Sequence, residues 1–512
     1  MGIKALVRNV KREGLKKAVR KGCERRRRER EERDLMRELK EIASRCPLPA
    51  ESAEATSEMI LEFQKGIFSM MDFIEEKEAW GVTKAYDYFQ LRFDDYLTAA
   101  AFSSEDDPAQ DLVFQEALTA RETPAYMRRL KANFIKKRIP AAYRDACSEP
   151  VEVKAVFVQP REGLNQSFKY MFNWLEKKGP YTPLLCELHR GDVPFSLYFR
   201  NAEEMARQAA VAKVVFFHES NNLFGYVDVR DESRVVQLWH GCGVFKKIGL
   251  DTAGLPGYKS EKSYRVYPEY NCYSCVTIAS PELSWVFERF MGISKESGII
   301  KPLGVSRTDE FFDSGYVDRC YEKLYERIPE AREKKVVLYA PTYRGVGRNR
   351  VAPDELDIPT LAEKLGDTHI LLIKQHQTAK DCPPVPEPNN QSFAWDVTRG
   401  WGMDINELMT IADICVSDYS SLVFEYSIFE RPMAFFVYDL EEYIDDRGLY
   451  YDFDEITPGP LCYTTEELVD YIQSIERDGF DPSEVAAFRQ RFMSSCDGHS
   501  TERILEYIEK GE

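Results

Sequence analysis

The 512-residue sequence has no continuous apolar run of about eighteen residues, the length that a transmembrane helix needs. Its basic N-terminus is not followed by the apolar stretch and small-residue cleavage site of a signal peptide, so we expect the protein to stay in the cytosol. The twelve cysteines are scattered singly, which favours reduced thiols over a disulfide framework.

Several motifs of common enzyme classes are also missing. The sequence has no GxxxxGK[ST] loop, no GxGxxG after a strand and no GxSxG elbow, which argues against an NTPase, a dinucleotide-binding enzyme and an α/β-hydrolase. Cys272 and Cys275 form a CxxC pair, but a second pair or a nearby histidine does not accompany it. We therefore assign no metal, and we predict no cofactor.

The net charge of -17 is unevenly distributed, because lysine and arginine crowd into residues 1–30. Apolar residues recur there at helical spacing, which predicts an amphipathic helix that binds an anionic membrane surface. A solvated basic helix or a nucleic-acid-binding arm would carry the same charge. No aromatic interleaving or nucleic-acid motif accompanies the basic residues, so we predict no nucleic-acid partner.

The apolar pattern divides the chain into three parts. Residues 31–145 have helical periodicity, with a helix predicted to end near Ile139-Pro140, and residues 1–150 form a predicted helical region for membrane docking or interaction. Farther along, short apolar runs alternate with helical patterns, which predicts parallel sheets covered by helices. We expect two Rossmann-like, doubly wound α/β domains at 151–330 and 331–512. Their predicted strands are 155–158, 184–188, 214–217, 235–238 and 276–279, then 336–339, 370–373, 414–416 and 433–437.

The most informative stretch is 413–425, where the predicted strand 414–416 leads into a polar turn and then into Ser420 and Ser421. A helix is predicted to begin at Ser421 and to run to Phe429. Free backbone N–H groups at a helix start, with two hydroxyls beside them, suit a phosphate group. An ordinary helix N-cap has the same sequence pattern. Because ligands bind beyond the carboxyl ends of parallel strands, we predict a phosphate site here.

Other polar residues follow other predicted strands. Trp239-His240-Gly241 and Lys246 follow strand 235–238, and His240 stands where a general base would. Arg307 lies at the joint between the domains, while Thr342-Tyr343-Arg344 and His376 follow two strands of the second domain. A structural histidine or a loop salt bridge would give similar patterns. Together these residues predict an anion-binding cleft between two domains, as a transferase with a diphosphate donor needs.

The ordered set of motifs, with Arg431-Pro432 and Tyr438-Asp439-Leu440-Glu441, resembles the CDP-glycerol glycerophosphotransferase family of bacterial teichoic-acid synthesis over roughly residues 155–505. The resemblance implies a GT-B type fold and transfer of a polyol phosphate from a CDP-polyol to a hydroxyl of a lipid-linked acceptor, with release of CMP. Glycerol phosphate is favoured over ribitol phosphate. The resemblance also implies peripheral attachment to the cytoplasmic face of the bacterial plasma membrane.

The resemblance further implies roles for single residues. His240 would be the general base and His376 the second catalytic histidine, which holds the donor phosphates together with Arg344 and the Ser420-Ser421 turn. The remaining residues are donor contacts or supports of the phosphate turn (Arg307, Thr342, Asp418 and Glu425) and acceptor-side residues (Trp239, Gly241 and Lys246). Two other functions stay open: a GT-B glycosyltransferase that uses a nucleotide sugar, and a non-catalytic membrane-associated scaffold.

Overall fold

The computed structural model describes residues 32–45, 66, 69, 70, 73, 77, 88, 92, 134–190, 195–255, 258–345, 350–376 and 379–510. The chain divides into two compact units, Met1–Arg129 and Leu130–Glu512. In the first unit, residues 32–44 are helical, as their periodicity predicts. The basic arm at 1–30, with its predicted membrane-binding role, lies outside the described residues. Within the described part of the chain, no helix has both the length and the apolar character required to cross a membrane.

The second unit contains two six-stranded sheets whose neighbouring strands run parallel. The first has the order β2-β1-β3-β4-β5-β6, and the second has the order β12-β11-β10-β7-β8-β9. The strands are β1 (Glu152–Gln159), β2 (Thr182–Glu187), β3 (Ala212–Phe217), β4 (Arg234–Gln237), β5 (Cys275–Thr277), β6 (Ile300–Lys301), β7 (Lys335–Tyr339), β8 (His369–Ile373), β9 (Ala394–Asp396), β10 (Ile414–Ser417), β11 (Met433–Phe436) and β12 (Leu461–Cys462). The predicted fold class, with two doubly wound α/β domains, is therefore confirmed.

Helices cover both faces of each sheet, which explains why the inner strands are apolar at nearly every position. In β1, Val156 and Val158 share a core with Ala206, while Phe157 contacts Phe168 on the other face at 5.1 Å between ring centroids. The helices are α1 (Ile139–Ala146), α2 (Gln166–Lys178), α3 (Phe195–Ala210), α4 (Glu261–Val266), α5 (Ser284–Met291), α6 (Ser314–Arg327), α7 (Ile358–Leu365), α8 (Ile405–Ile411), α9 (Leu422–Tyr426), α10 (Leu440–Arg447), α11 (Phe453–Ile456), α12 (Thr465–Asp478), α13 (Ser483–Phe492) and α14 (Ser500–Lys510).

The helix predicted to end near Ile139-Pro140 instead continues through that point, so this prediction is wrong. A π-helical turn, Phe134–Arg138, leads into α1, and Pro140 lies in the first turn of α1. Proline lacks the N–H that a continuous α-helix would use, and the change from π-helical to α-helical hydrogen bonding at this point accommodates it.

The last helix, α14, returns to the first sheet although it follows the second sheet in the chain. Ile504 and Ile508 pack into the same core as Phe157 and Phe216 of the first sheet. The Asp309 carboxylate accepts hydrogen bonds from the backbone N–H groups of Ser500 (3.0 Å) and Thr501 (2.7 Å), which stabilise the start of the helix. The chain thus crosses between the domains twice, at the 3-10 helix Ser306–Phe312 and again before α14.

The strand orders locate two topological switch points. In the first sheet, β2 and β3 lie on opposite sides of β1, so the order reverses between β1 and β3. In the second sheet, the order reverses between β7 and β10. Ligands of doubly wound sheets bind in the crevice beyond the carboxyl ends of the strands at such points.

Candidate active site

Two of the predicted donor-side residues, Thr342 and Asp418, meet at the switch point of the second sheet. Asp418 follows β10, and its carboxylate accepts from the backbone N–H of Thr342 at 2.9 and 3.1 Å and from the Thr342 hydroxyl at 3.0 Å. The same carboxylate also accepts from the N–H of Tyr419 at 2.7 Å. A buried carboxylate with this many donors fixes the backbone around it. Asp418 therefore holds the segments after β7 and β10 together.

Arg344 lies in the same network. Its guanidinium donates to Asp418 at 2.9 Å, to Asp439 at 2.9 Å and to the Thr342 carbonyl at 2.8 Å. Burial disfavours its charge, but Asp418 and Asp439 outweigh that effect and raise the pKa of Arg344. The Arg344 guanidinium thus binds the carboxylates of Asp418 and Asp439, and its contact with donor phosphates stays a prediction.

The predicted phosphate turn, Ser420-Ser421, precedes a helix close to the predicted bounds. Helix α9 starts at Leu422 and continues as the 3-10 turn Ser427–Phe429. Ser420 accepts from the N–H of Leu422 through its hydroxyl at 3.4 Å. Ser421 faces Gly241 of the other domain, since a Cβ atom added to Gly241 would lie 3.5 Å from the Ser421 hydroxyl oxygen. The donor-side turn and the predicted acceptor-side loop are therefore adjacent.

His240 follows β4, and its side chain reaches solvent while one side of the ring packs against Trp239. Its Nδ1 lies 3.0 Å from the carbonyl oxygen of His218. Because a carbonyl can only accept, Nδ1 carries the proton and Nε2 is left as the basic nitrogen. Burial lowers the pKa of His240, so the ring is neutral near pH 7. A neutral ring with a fixed tautomer is the state that a general base requires.

Trp239 supports this ring from one side. The centroids of the Trp239 and His240 rings are 4.6 Å apart, and the Trp239 ring packs against Phe287 and Phe290. Trp239 has a backbone φ of 57°, a left-handed conformation that is strained for a bulky residue. The left-handed conformation changes the direction of the chain directly after β4, just before His240.

Arg307 and Glu425, predicted as donor-side residues, form a buried ion pair. Glu425 also accepts from the backbone N–H of Cys242 at 3.0 Å, and Arg307 donates to Asn406 at 2.9 Å. Glu425 belongs to α9, whereas Cys242 lies two residues after His240. The pair therefore ties the histidine loop to the helix after the phosphate turn, which agrees with a supporting role.

His376 of the second domain lies within electrostatic range of Lys246 of the first domain. His376 follows β8, and its ring meets that of Tyr343 edge-on at 5.0 Å. Burial lowers the pKa of His376 to about 4, with smaller contributions from Arg350 and Lys246. Lys246 also lies over the Tyr443 ring at 5.4 Å. The Lys246 loop is held to the second domain by two backbone hydrogen bonds, from Lys247 to Gly448 (3.1 Å) and from Tyr450 to Phe245 (2.8 Å).

The sequence predicted no site role for three residues of this region: Asp439, Gln159 and His218. Asp439 belongs to a recognised motif, but its pairing with Arg344 depends on how β7 and β11 are arranged. Gln159 and His218 end or follow strands of the first sheet, and no motif includes them. Within the described residues, no group of three or more His, Cys, Asp or Glu side chains is arranged to hold a metal ion.

Comparison with known proteins identifies the family. The model of the CDP-Glycerol:Poly(glycerophosphate) glycerophosphotransferase family matches residues 156–510. The chain belongs to this family. It is 33% identical over 306 residues to the teichoic acid poly(ribitol-phosphate) polymerase of Bacillus spizizenii, covering 59% of this chain and 48% of that protein. It is 29% identical over 361 residues to the teichoic acid ribitol-phosphate primase of the same organism, covering 69% of this chain and 90% of that protein.

The fold has a counterpart among solved structures. The wall teichoic acid polymerase TagF superposes with a TM-score of 0.57 at 22% identity, covering 75% of this glycerophosphotransferase-family chain and 96% of the TagF chain. The likeness confirms the predicted GT-B type fold. The chain spans about half the length of the ribitol-phosphate polymerase that it matches.

Proposed function

We propose that this protein transfers a polyol phosphate, glycerol phosphate or ribitol phosphate, from a CDP-polyol to a hydroxyl of a lipid-linked acceptor and releases CMP. The main support for this proposal is the close approach of the two domains at the site, where Gly241 beside His240 faces the hydroxyl of Ser421. An acceptor hydroxyl at His240 and a donor phosphate at the serine turn would then be neighbours.

Relatives support a CDP-polyol donor. Their names include ribitol-phosphate polymerases and primases, and one relative from Bacillus subtilis is a teichoic acid glycerol-phosphate primase with 29% identity over 299 residues. A structure of a TagF variant was obtained after soaking with CDPG. We extend this donor class to the present chain, with synthesis of a teichoic-acid-like polymer as the process.

The proposed reaction is an in-line displacement. Nε2 of His240 takes the proton of the acceptor hydroxyl, and the oxygen attacks the β-phosphorus, which carries the polyol. The bond from that phosphorus to the bridging oxygen breaks, and CMP leaves with the bonding electron pair. Protein groups around the CDP-polyol position it and stabilise the negative charge on its phosphates, which is the main task of the protein in phosphoryl transfer. The proton on His240 then passes to solvent, which restores the neutral ring before the next acceptor binds.

A donor panel tests the proposal. Purified protein is incubated with a lipid-linked acceptor and with CDP-glycerol, CDP-ribitol or a UDP-sugar, and the released nucleotide is measured. We expect CMP from at least one CDP-polyol and no UDP. Release of UDP would favour a glycosyltransferase of the same fold, since the fold does not choose the donor. No nucleotide release from any donor would favour the scaffold.

We further propose that residues 1–30 attach the protein to the cytoplasmic face of the plasma membrane. The support is the basic amphipathic pattern of that segment. Full-length protein should sediment with vesicles that contain anionic lipid, and less so as salt is raised. A matched variant with glutamine at the lysines and arginines of this segment should stay in the supernatant. Equal sedimentation of the two proteins would contradict the proposal.

A further inference from the structure

The switch point of the first sheet carries two buried polar side chains that the proposed mechanism does not use. β1 ends at Gln159, and His218 follows the last residue of β3. Phe157 and Phe216 are register partners in these adjacent parallel strands, so Gln159 and His218 fall at the corresponding positions two residues farther on. Both therefore lie at the edge where a doubly wound sheet binds its ligand.

Both side chains have unsatisfied hydrogen-bonding atoms. Gln159 is 4% exposed and His218 is 6% exposed. Among the described residues, no group hydrogen-bonds to Oε1 of Gln159 or to either ring nitrogen of His218. Leaving a buried polar group unpaired costs about 1–3 kcal/mol, so two such residues side by side need a cause. A bound ligand with hydroxyl groups would supply the missing partners.

Packing puts both side chains on the same face of the sheet. The His218 ring meets Phe168 of α2 edge-on, with ring centroids 4.7 Å apart. Gln159 is two residues after Phe157, which also contacts Phe168, and side chains two apart in a strand share a face. The carbonyl of His218 holds His240 at 3.0 Å, so the pair adjoins the proposed base.

The chemistry of the pair selects an uncharged ligand. The pKa of His218 is lowered to about 3, first by burial and then by His240, so its imidazole is neutral at physiological pH. A neutral imidazole offers one donor and one acceptor, and Oε1 of Gln159 offers an acceptor. Phosphate groups are bound by cations and backbone N–H groups, whereas this pair suits hydroxyls.

We propose that Gln159 and His218 bind the hydroxyl groups of the acceptor's terminal polyol, next to the hydroxyl that His240 deprotonates. This inference rests on the proposed function and adds a recognition site to it. The terminal polyol would be oriented by hydrogen bonds to one or more of its non-reacting hydroxyls, so that a reacting hydroxyl reaches Nε2 of His240.

The test uses two lipid-linked acceptors that differ in one hydroxyl. The first ends in glycerol phosphate, and the second ends in the propane-1,3-diol counterpart, which lacks the secondary hydroxyl. Calorimetry without donor gives acceptor affinity for the wild type, Gln159→Met and His218→Phe. Each variant should bind the glycerol acceptor about tenfold more weakly, the loss expected for one good hydrogen bond. For the propanediol acceptor, at least one of the two variants should have the same affinity as the wild type.

Controls separate recognition from stability. His369→Phe replaces another buried histidine, at the amino end of β8, and should leave acceptor affinity unchanged. Thermal melting checks the fold of each variant, and if His218→Phe does not fold, Gln159→Met with His218→Asn carries the test. Unchanged affinity for the glycerol acceptor in the folded variants would overturn the inference. Equal weakening on both acceptors in every folded variant would also overturn it.

The same experiment keeps this inference apart from the proposed function. Acceptor affinity is measured without turnover, while CMP release from the donor panel measures turnover. Wild-type protein that releases no CMP but shows the hydroxyl-dependent affinity pattern would contradict the proposed function and support the hydroxyl site. Wild-type protein that releases CMP but lacks that affinity pattern would support the proposed function and contradict the hydroxyl site.

Discussion

The two switch points differ in what their polar side chains contact. At the second sheet, Asp418 and Arg344 bind each other and their neighbours. At the first sheet, Gln159 and His218 keep buried polar atoms without partners among the described residues. At the second sheet, the hydrogen bonds between polar side chains hold the backbone and the hydroxyls in place. At the first sheet, the polar side chains have hydrogen-bonding atoms available for a ligand. Substitution of Asp418 or Arg344 should therefore mainly lower stability, whereas substitution of Gln159 or His218 should mainly weaken ligand recognition.

The largest expected effect is at His240. His240→Ala should reduce turnover about 10²- to 10⁴-fold, because the proton acceptor is lost. The melting temperature and the affinity for the CDP-polyol should stay close to those of the wild type, since part of the side chain already reaches solvent. Single-turnover kinetics with a lipid-linked acceptor give the rate. Turnover within a few-fold of wild type would remove His240 from the base role.

Arg344→Ala should mainly lower stability. It leaves the carboxylates of Asp418 and Asp439 without their cation, and breaking such a buried pair costs about 3–5 kcal/mol. Denaturant unfolding measures the loss. Arg344→Lys keeps the charge but not the planar fork, so it should recover part of the stability. A variant with wild-type stability that no longer binds the CDP-polyol would instead make Arg344 a direct phosphate ligand.

The pH dependence of the reaction should distinguish the histidines. Burial lowers the pKa of His240, and a protonated ring cannot accept the acceptor's proton. Activity should therefore persist as pH falls through the ordinary histidine pKa of about 6.5, and fall only at lower pH. His376→Gln should leave this acid limb in place. If the loss of activity at low pH disappears in His376→Gln, then protonation of His376, and not of His240, limits the reaction.

Ser421→Ala should have the smallest effect. Loss of one hydroxyl should weaken CDP-polyol binding about two- to tenfold, the range for a single neutral hydrogen bond. Ser427→Ala is a matched control, because the Ser427 hydroxyl donates to the Phe424 carbonyl at the far end of the same helical segment. Calorimetry with CDP-glycerol or CDP-ribitol compares the two. Equal affinities for both variants would argue against a donor contact at Ser421.

Much of the fold could be predicted from the sequence, because long apolar strands and periodic helices leave strong patterns. The missed strands, β6, β9 and β12, contain only two or three residues and are too short to show a period. Pro140 was misread because proline usually ends a helix, whereas here a π-helical turn precedes it and the helix continues. The return of α14 to the first sheet depends on packing between distant segments, which local periodicity does not report.

Individual site residues were easier to predict than their partners. His240 and Ser421 follow strands in recognisable motifs, so their adjacency to a cleft could be expected from the rule for parallel sheets. Strand order could not be read from the sequence, and without it Gln159 and His218 are ordinary strand-end residues. The same holds for Arg344, whose motif suggested an anion ligand but not whether that anion is a phosphate or Asp439.

The two chain crossings have a mechanical consequence. Because α14 is built into the first domain, the lobes are joined by two separate covalent connections, at Ser306–Phe312 and ahead of Ser500. Two connections allow rotation about the line between them and oppose sliding or twisting in other directions. The two connections therefore restrict how far His240 and the serine turn can shift relative to each other.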